Sequence, residues 1–160
     1  MNISIQSDTD KYTLAETKHI EDIALYLCDH WGLSKKHCSL NISFTDDAGI
    51  EPVNVQFLQH EGATDVISFD YLDDYEEEFA DEDDPFVLGE LLISLETAQS
   101  QAQTYDSSFN DEALLYVAHG ILHLCGFDDH QEDDIKAMRD AEAQSMKLIK
   151  EHFPNARIIA

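Results

Sequence analysis

Asp111-Glu-Ala-Leu-Leu-Tyr-Val-Ala-His119-Gly-Ile-Leu-His123-Leu-Cys-Gly126-Phe-Asp-Asp129-His130 decides the reading of this chain. Acids open the stretch, apolar residues fill it and a glycine closes it. It therefore predicts a buried helix over 111–124, with Asn110 as N-cap and Gly126 just past the end. His119 and His123, four residues apart, share one face of that helix. Both rings can reach one cation while Ile and Leu neighbours exclude water, as in a His-x-x-x-His zinc site. A lone histidine is more often a satisfied core or surface imidazole; the turn glycine and the Asp-Asp-His that follows favour the metal reading.

The third ligand lies beyond the glycine. Zinc hydrolases with this layout take it three residues later, which selects Asp129, a legitimate carboxylate ligand. His130 follows at once and is an alternative, since imidazole is the commoner partner of a borderline cation. Asp128, Glu132 and Asp133 read as turn and helix-start residues, acids at the positive end of the next helix. Gly120 weakens one reading, a zinc peptidase or another small-molecule metal hydrolase. The peptidase motif His-Glu-x-x-His puts its general base directly after the first histidine, and here that position has no side chain.

His-Gly-x-Leu-His-Leu-x-Gly-Phe-Asp resembles the signature of the YbeY family, metal-dependent endoribonucleases of bacterial ribosomal RNA maturation. Asn54, the run Thr64-Asp-Val-Ile-Ser-Phe69, the run Gly89-Glu-Leu-Leu-Ile-Ser94 and Met138 agree in order and spacing. The resemblance implies a single-strand-specific nuclease acting in 16S rRNA 3′-end maturation and ribosome quality control. It implies one zinc per chain, with nickel or manganese as alternatives, on His119, His123 and the position of Asp129, where the family has a histidine. Its implied partners are rRNA, the small ribosomal subunit, and a basic ribosomal protein or a ribosome-associated GTPase, with no DNA and no membrane. The family also carries an arginine four residues after the asparagine; this chain has Leu58 there, so its role falls to His60 or is not performed, the alternative then being a ribosome-assembly factor with a structural metal and little catalysis.

Composition bounds these readings. A chain of 160 residues with 43% apolar residues can bury one ordinary core. The N-terminus has neither a basic start nor an apolar run, and the expected compartment is the cytoplasm. Cys28, Cys38 and Cys125, odd in number and irregular in spacing, read as reduced packing thiols. The net charge of −25 is unusual for a protein that meets a polyanion. No Lys or Arg occurs from His37 through Ile135, so the expected RNA contact edge is terminal: Lys11, Lys18, Lys35 and Lys36 on one side, Lys136, Arg139, Lys147, Lys150 and Arg157 on the other. The acidic run at about 70–84 reads as a solvated loop kept open by self-repulsion, or as a docking surface for a basic protein.

The remaining patterns predict one α+β domain over 1–160. It is a small mixed β-sheet packed with helices, with the metal site at the C-terminal end of a central helix. Residues 1–5 form an edge strand. Thr13 to Glu16 form a capping box before a helix whose Ile20, Ile23, Ala24 and Leu27 face the core until Gly32. Leu40, Ile42 and Phe44 alternate as a strand ended by the turn Asp46-Asp-Ala-Gly49, and Pro52 opens a short helix to Leu58. Val66 to Phe69 and Val87 to Ile93 are strands, Ser94 caps a helix from Leu95, and Ile135, Met138, Met146, Leu148 and Ile149 give the last helix its apolar side. A metal ion at this site would acidify a water and polarise a phosphoryl oxygen. The carboxylates expected to take the proton are Glu90 and Asp65, each with a structural alternative: Glu90 orienting a ligand histidine, Asp65 bonding turn amides.

Overall fold

Alternating apolar residues in three parallel segments build the sheet on which the helices rest. The structure is a computed structural model that describes residues 1–58 and 64–160. His60 lies outside the described residues. Strand β1 (Asn2–Ser7) pairs in parallel with β2 (Cys38–Thr45), β2 pairs in parallel with β4 (Phe86–Ser94), and β3 (Val66–Asp70) runs antiparallel along β4. The order is β1-β2-β4-β3, so β1 is the expected edge strand. The parallel pairs need crossovers: α1 (Thr17–His30) joins β1 to β2.

Register sorts the sheet into two faces. Ile3 and Ile5 stand beside Leu40 and Ile42, and these beside Gly89 and Leu91; Phe44 stands beside Ile93. That face is buried under α1, α3 (Leu95–Thr104) and α4 (Phe109–Leu124), which is the central helix. The alternate residues Ser4, Gln6, Asn41, Ser43, Glu90 and Leu92 point the other way and line a cavity of about 590 Å³, into which Phe57 and Phe69 meet edge to face at 5.5 Å. Helix α5 (Glu132–His152) then returns along α4 and buries Met138, Ala141 and Ile149. Ile135, expected on that side, is exposed.

Two glycines set the spacing between α4 and the sheet. A Cβ on Gly120 would come within 2.8 Å of Leu91, and a Cβ on Gly89 within 2.8 Å of Leu124. The residue after His119 therefore lacks a side chain because the helix lies against β4 there.

Four local expectations give way to tertiary structure. Ser108, not Asn110, caps α4 by accepting from the Asp111 N–H at 3.0 Å. Asn110 Oδ1 instead accepts from the Ile158 and Ile159 N–H groups at 2.9 and 2.8 Å. Thr13 to Glu16 form no capping box: the segment pairs with the C-terminal tail, Ala15 N–H to Ile158 O and Ala160 N–H to Thr13 O, and α1 starts only at Thr17. Asp46 does not close a turn but caps α2 (Asp47–Val53), accepting from the Gly49 N–H, while Asp47 takes hydrogen bonds from Ser94 and Thr97. Pro52 thus lies inside α2, which passes into a π-helical turn over Asn54–Leu58.

The acidic segment is better anchored than self-repulsion suggests. It forms two 3₁₀ turns, Leu72–Asp74 and Glu77–Phe79, with Leu72 and Tyr75 packed on the core and the Tyr75 hydroxyl donating to Lys36 O. Asp81 accepts from the Asp83 and Asp84 amides, so part of the acidity is spent on turn geometry. No described helix is long and apolar enough to cross a membrane.

Candidate metal centre

Helix α4 ends in a left-handed turn that only glycine adopts cheaply, with Gly126 at φ +99°. The Phe127 N–H donates to Leu122 O and the Gly126 N–H to His123 O, both at 3.0 Å, which is the Schellman pattern. Phe127 then packs against Leu122 and lies edge to face with Trp31 at 5.5 Å, which fixes where the chain leaves the helix. That exit carries Asp129 back over the helix end.

His119, His123 and Asp129 converge. The His119 and His123 Nε2 atoms are 2.9 Å apart, and Asp129 Oδ2 is 4.0 Å from the first and 3.7 Å from the second. His123 Nδ1 lies 3.0 Å from Phe127 O, which can only accept, so this nitrogen carries the proton. His119 Nδ1 lies 3.6 Å from Glu142 Oε2, longer than a hydrogen bond but close enough for the carboxylate to favour the tautomer with its proton on Nδ1. Both Nε2 lone pairs therefore face one another across 2.9 Å, an arrangement that repels unless a cation or a shared proton lies between them. Ligand atoms about 2.0–2.1 Å from a tetrahedral zinc stand roughly 3.3 Å apart, so the two imidazoles and the carboxylate fit such an ion. Burial lowers the His123 pKa, the neighbouring His119 lowers it further and Asp129 opposes; the balance favours the neutral, ligating ring.

His130 is not part of this group. Its Nε2 sits 3.3 Å from Asp128 Oδ1, and its ring is 80% exposed. Of the two positions weighed from the sequence, Asp129 is the one brought to the imidazoles. Cys125 also stays outside, its thiol pushed up to about 11 by burial. Glu90 lies on the sheet face away from α4, between Asn41 and Phe69 in register, and so cannot orient either histidine. Asp65 precedes β3, where its Oδ1 accepts from the Val66 N–H at 2.7 Å, the turn bond expected of it. It also lines a cavity along the His119 side of α4.

The residue that orients His119 is one that pattern reading passes over. Glu142 is a buried acid on the apolar side of α5, held by Arg139 Nη1 at 2.6 and 3.1 Å. Burial raises its carboxyl, but His119 and Arg139 outweigh burial and the net shift is downward. A carboxylate behind a ligating imidazole fixes its tautomer and raises its basicity. The signal in the sequence is Glu142 one turn after Met138, an acid inside a buried stripe that therefore needs a partner.

On the other side of the histidines lies a groove of about 490 Å³, lined by Leu58, Ser68, Asp70, His123, Asp129 and His130 among others. Ser68 Oγ is buried there without a hydrogen-bond partner among the described residues. None of the described residues lining the groove is a Lys or Arg, and Leu58 is the position where an arginine was expected.

A small α+β domain presenting His-x-x-x-His on its central helix and a carboxylate on the turn that follows has the donor set of a hydrolytic metal centre. Residues 2–150 match the family model described as Endoribonuclease YbeY, and the chain belongs to that family. Among its relatives, the Endoribonuclease YbeY of Rhodopirellula baltica is 42% identical over 118 residues, 72% of this chain and 56% of that protein. The one from Fusobacterium nucleatum is 33% identical over 151 residues, 89% of this chain and 90% of its own length. The solution structure of TM1509 from Thermotoga maritima shares the fold, with a TM-score of 0.61 at 22% identity over 95% of this chain and 91% of that one.

Proposed function

We propose that this protein is a metal-dependent endoribonuclease of single-stranded RNA, acting in 16S rRNA 3′-end maturation and ribosome quality control. The observation that carries the reading is the convergence of His119, His123 and Asp129 beside an open groove, in a chain of the YbeY family. Zinc suits two neutral imidazoles and one carboxylate, with nickel or manganese as substitutes. When bound, the ion supplies a Lewis acid for a phosphoryl oxygen and acidifies a water.

The protein's own groups do the rest. Glu142 and Phe127 O hold both histidines in the Nδ1–H tautomer. The Ser68 hydroxyl, without a partner among the described residues, offers a hydrogen bond to a phosphate oxygen in the groove. Asp65 is the carboxylate proposed to take the proton, since Glu90 faces the wrong side of the sheet. His130, at the groove mouth, is a second contact for the strand.

The charge distribution favours a partner. Lys11, Lys18 and Lys150 are paired with the chain's own acids and Arg139 Nη1 with Glu142, leaving Lys35, Lys36, Lys136, Lys147, Arg157 and the other Arg139 donors, unpaired among the described residues, to meet phosphates. A basic ribosomal protein, or a ribosome-associated GTPase, is the complement of a surface carrying −25. A second reading, an assembly factor whose metal is structural, is favoured by Leu58 at the groove. One experiment separates the two: cleavage of single-stranded RNA by metal-loaded protein, beside His123→Ala and Asp129→Ala. Activity lost with the metal in both variants, on the order of a hundredfold or more, supports the nuclease. A fully loaded wild type that leaves RNA intact supports the assembly factor.

A further inference from the structure

The same face of α4 that carries His119 and His123 continues toward its N-terminus through Tyr116 and Glu112. It opens there into a second cavity, of about 660 Å³, between α3, α4 and α5. Its chemistry differs from that of the groove. Tyr105, at the end of α3, is 71% exposed and presents an aromatic side chain. Glu112 and Asp65 present carboxylates, and Gln101 presents an amide. Arg139 closes one side, with Nη1 committed to Glu142 and its Nη2 and Nε donors without a partner among the described residues. Burial, with Asp111, Asp65 and Glu142 nearby, raises the Glu112 carboxyl, which has no donor among the described residues.

We propose that this cavity seats one nucleobase of the RNA next to the metal centre, an amino-bearing base in preference to uracil, with the adjoining phosphate on Arg139. The argument rests on the endoribonuclease reading for its substrate class, and on the lining for the rest. An aromatic side chain of this exposure at a cavity mouth is a stacking platform that any base can use. The Glu112 carboxylate inside repels phosphate and selects donors. Cytosine, adenine and guanine each offer an exocyclic amine, whereas uracil offers one N–H between two carbonyl oxygens that a carboxylate repels. Arg139 is the one Lys or Arg on this cavity, and Glu142 holds it beside His119. A phosphate on its free donors is thereby placed near the His119 side of the metal group, where Leu58 brings no charge on the opposite side.

The test is an NMR titration of the metal-loaded protein with cytidine, guanosine and uridine monophosphates. It is run on wild type, Glu112→Gln and Tyr105→Ala, beside cleavage of oligonucleotides that differ only in C against U. Wild type binds the amino-bearing nucleotides about tenfold more tightly than uridine monophosphate, the scale of one hydrogen bond to a charged acceptor. Glu112→Gln narrows that gap, and Tyr105→Ala weakens all three alike. Equal affinities in wild type, or a preference that survives Glu112→Gln, overturns the subsite. The two readings fail separately: cleavage without base preference rejects the subsite alone, and base preference without cleavage rejects the nuclease alone.

Discussion

His119 depends on two residues that share no sequence neighbourhood with it. Glu142 lies in another helix, and Arg139 holds Glu142. The pair was therefore legible only as an acid inside an apolar stripe, whereas His119, His123 and the Gly126 turn were legible outright because helix periodicity and glycine geometry are local. Glu142→Gln keeps the volume and removes the charge, so metal affinity falls by roughly ten- to a hundredfold with the fold intact, as chelator competition would show. An unchanged affinity would mean that His119 needs no carboxylate behind it. Glu112 bears on pH. Its carboxyl is raised in the folded protein, chiefly by burial, so its contribution to stability is complete below the unfolded carboxyl pKa and is lost as pH rises through the folded value. Glu112→Gln therefore gains stability over wild type at pH 7 and little at pH 4, measured by urea denaturation at both values. A gain larger at pH 4 would reverse the assignment.

Elements were readable where packing and propensity agree, and misread where a distant segment supplied the bonds. Ser94 caps α3 as its sequence position suggests, since its hydroxyl reaches the Thr97 N–H within the same turn. Thr13 and Glu16 looked equally local, yet the C-terminal tail takes the backbone of that segment. Asn110 lies two residues from the true cap, Ser108, and has a different task. The contact between α4 and β4 gives the sharpest prediction at this scale. Gly120→Glu writes His-Glu-x-x-His into the sequence but drives a carboxylate against Leu91 in the core. The variant loses about 3–5 kcal/mol in chemical denaturation and gains no peptidase activity. Near-wild-type stability would show that α4 can lift from the sheet.

At the scale of the molecule, the chain is closed by a clasp. Asn110 Oδ1 receives two tail amides at the start of the central helix, and the tail in turn pairs with the residues before α1. Asn110→Ala leaves both amides unsatisfied and costs about 1–3 kcal/mol, visible in thermal denaturation together with faster hydrogen exchange at Ile158 and Ile159. Protection unchanged at those amides would assign the clasp to the strand-like pairing alone. The left-handed turn after α4 has a consequence of another kind. Two donors of the metal group ride on a helix pressed into the core by Gly89 and Gly120, and the third rides on a short exposed turn held by Phe127 against Trp31. A bound ion would thus have one donor on an exposed turn, Asp129, and two, His119 and His123, on a fixed helix, so its exchange would be a local event. Lability of such an ion would be set by how often one turn opens, so Phe127→Ala would speed its exchange far more than it lowers global stability.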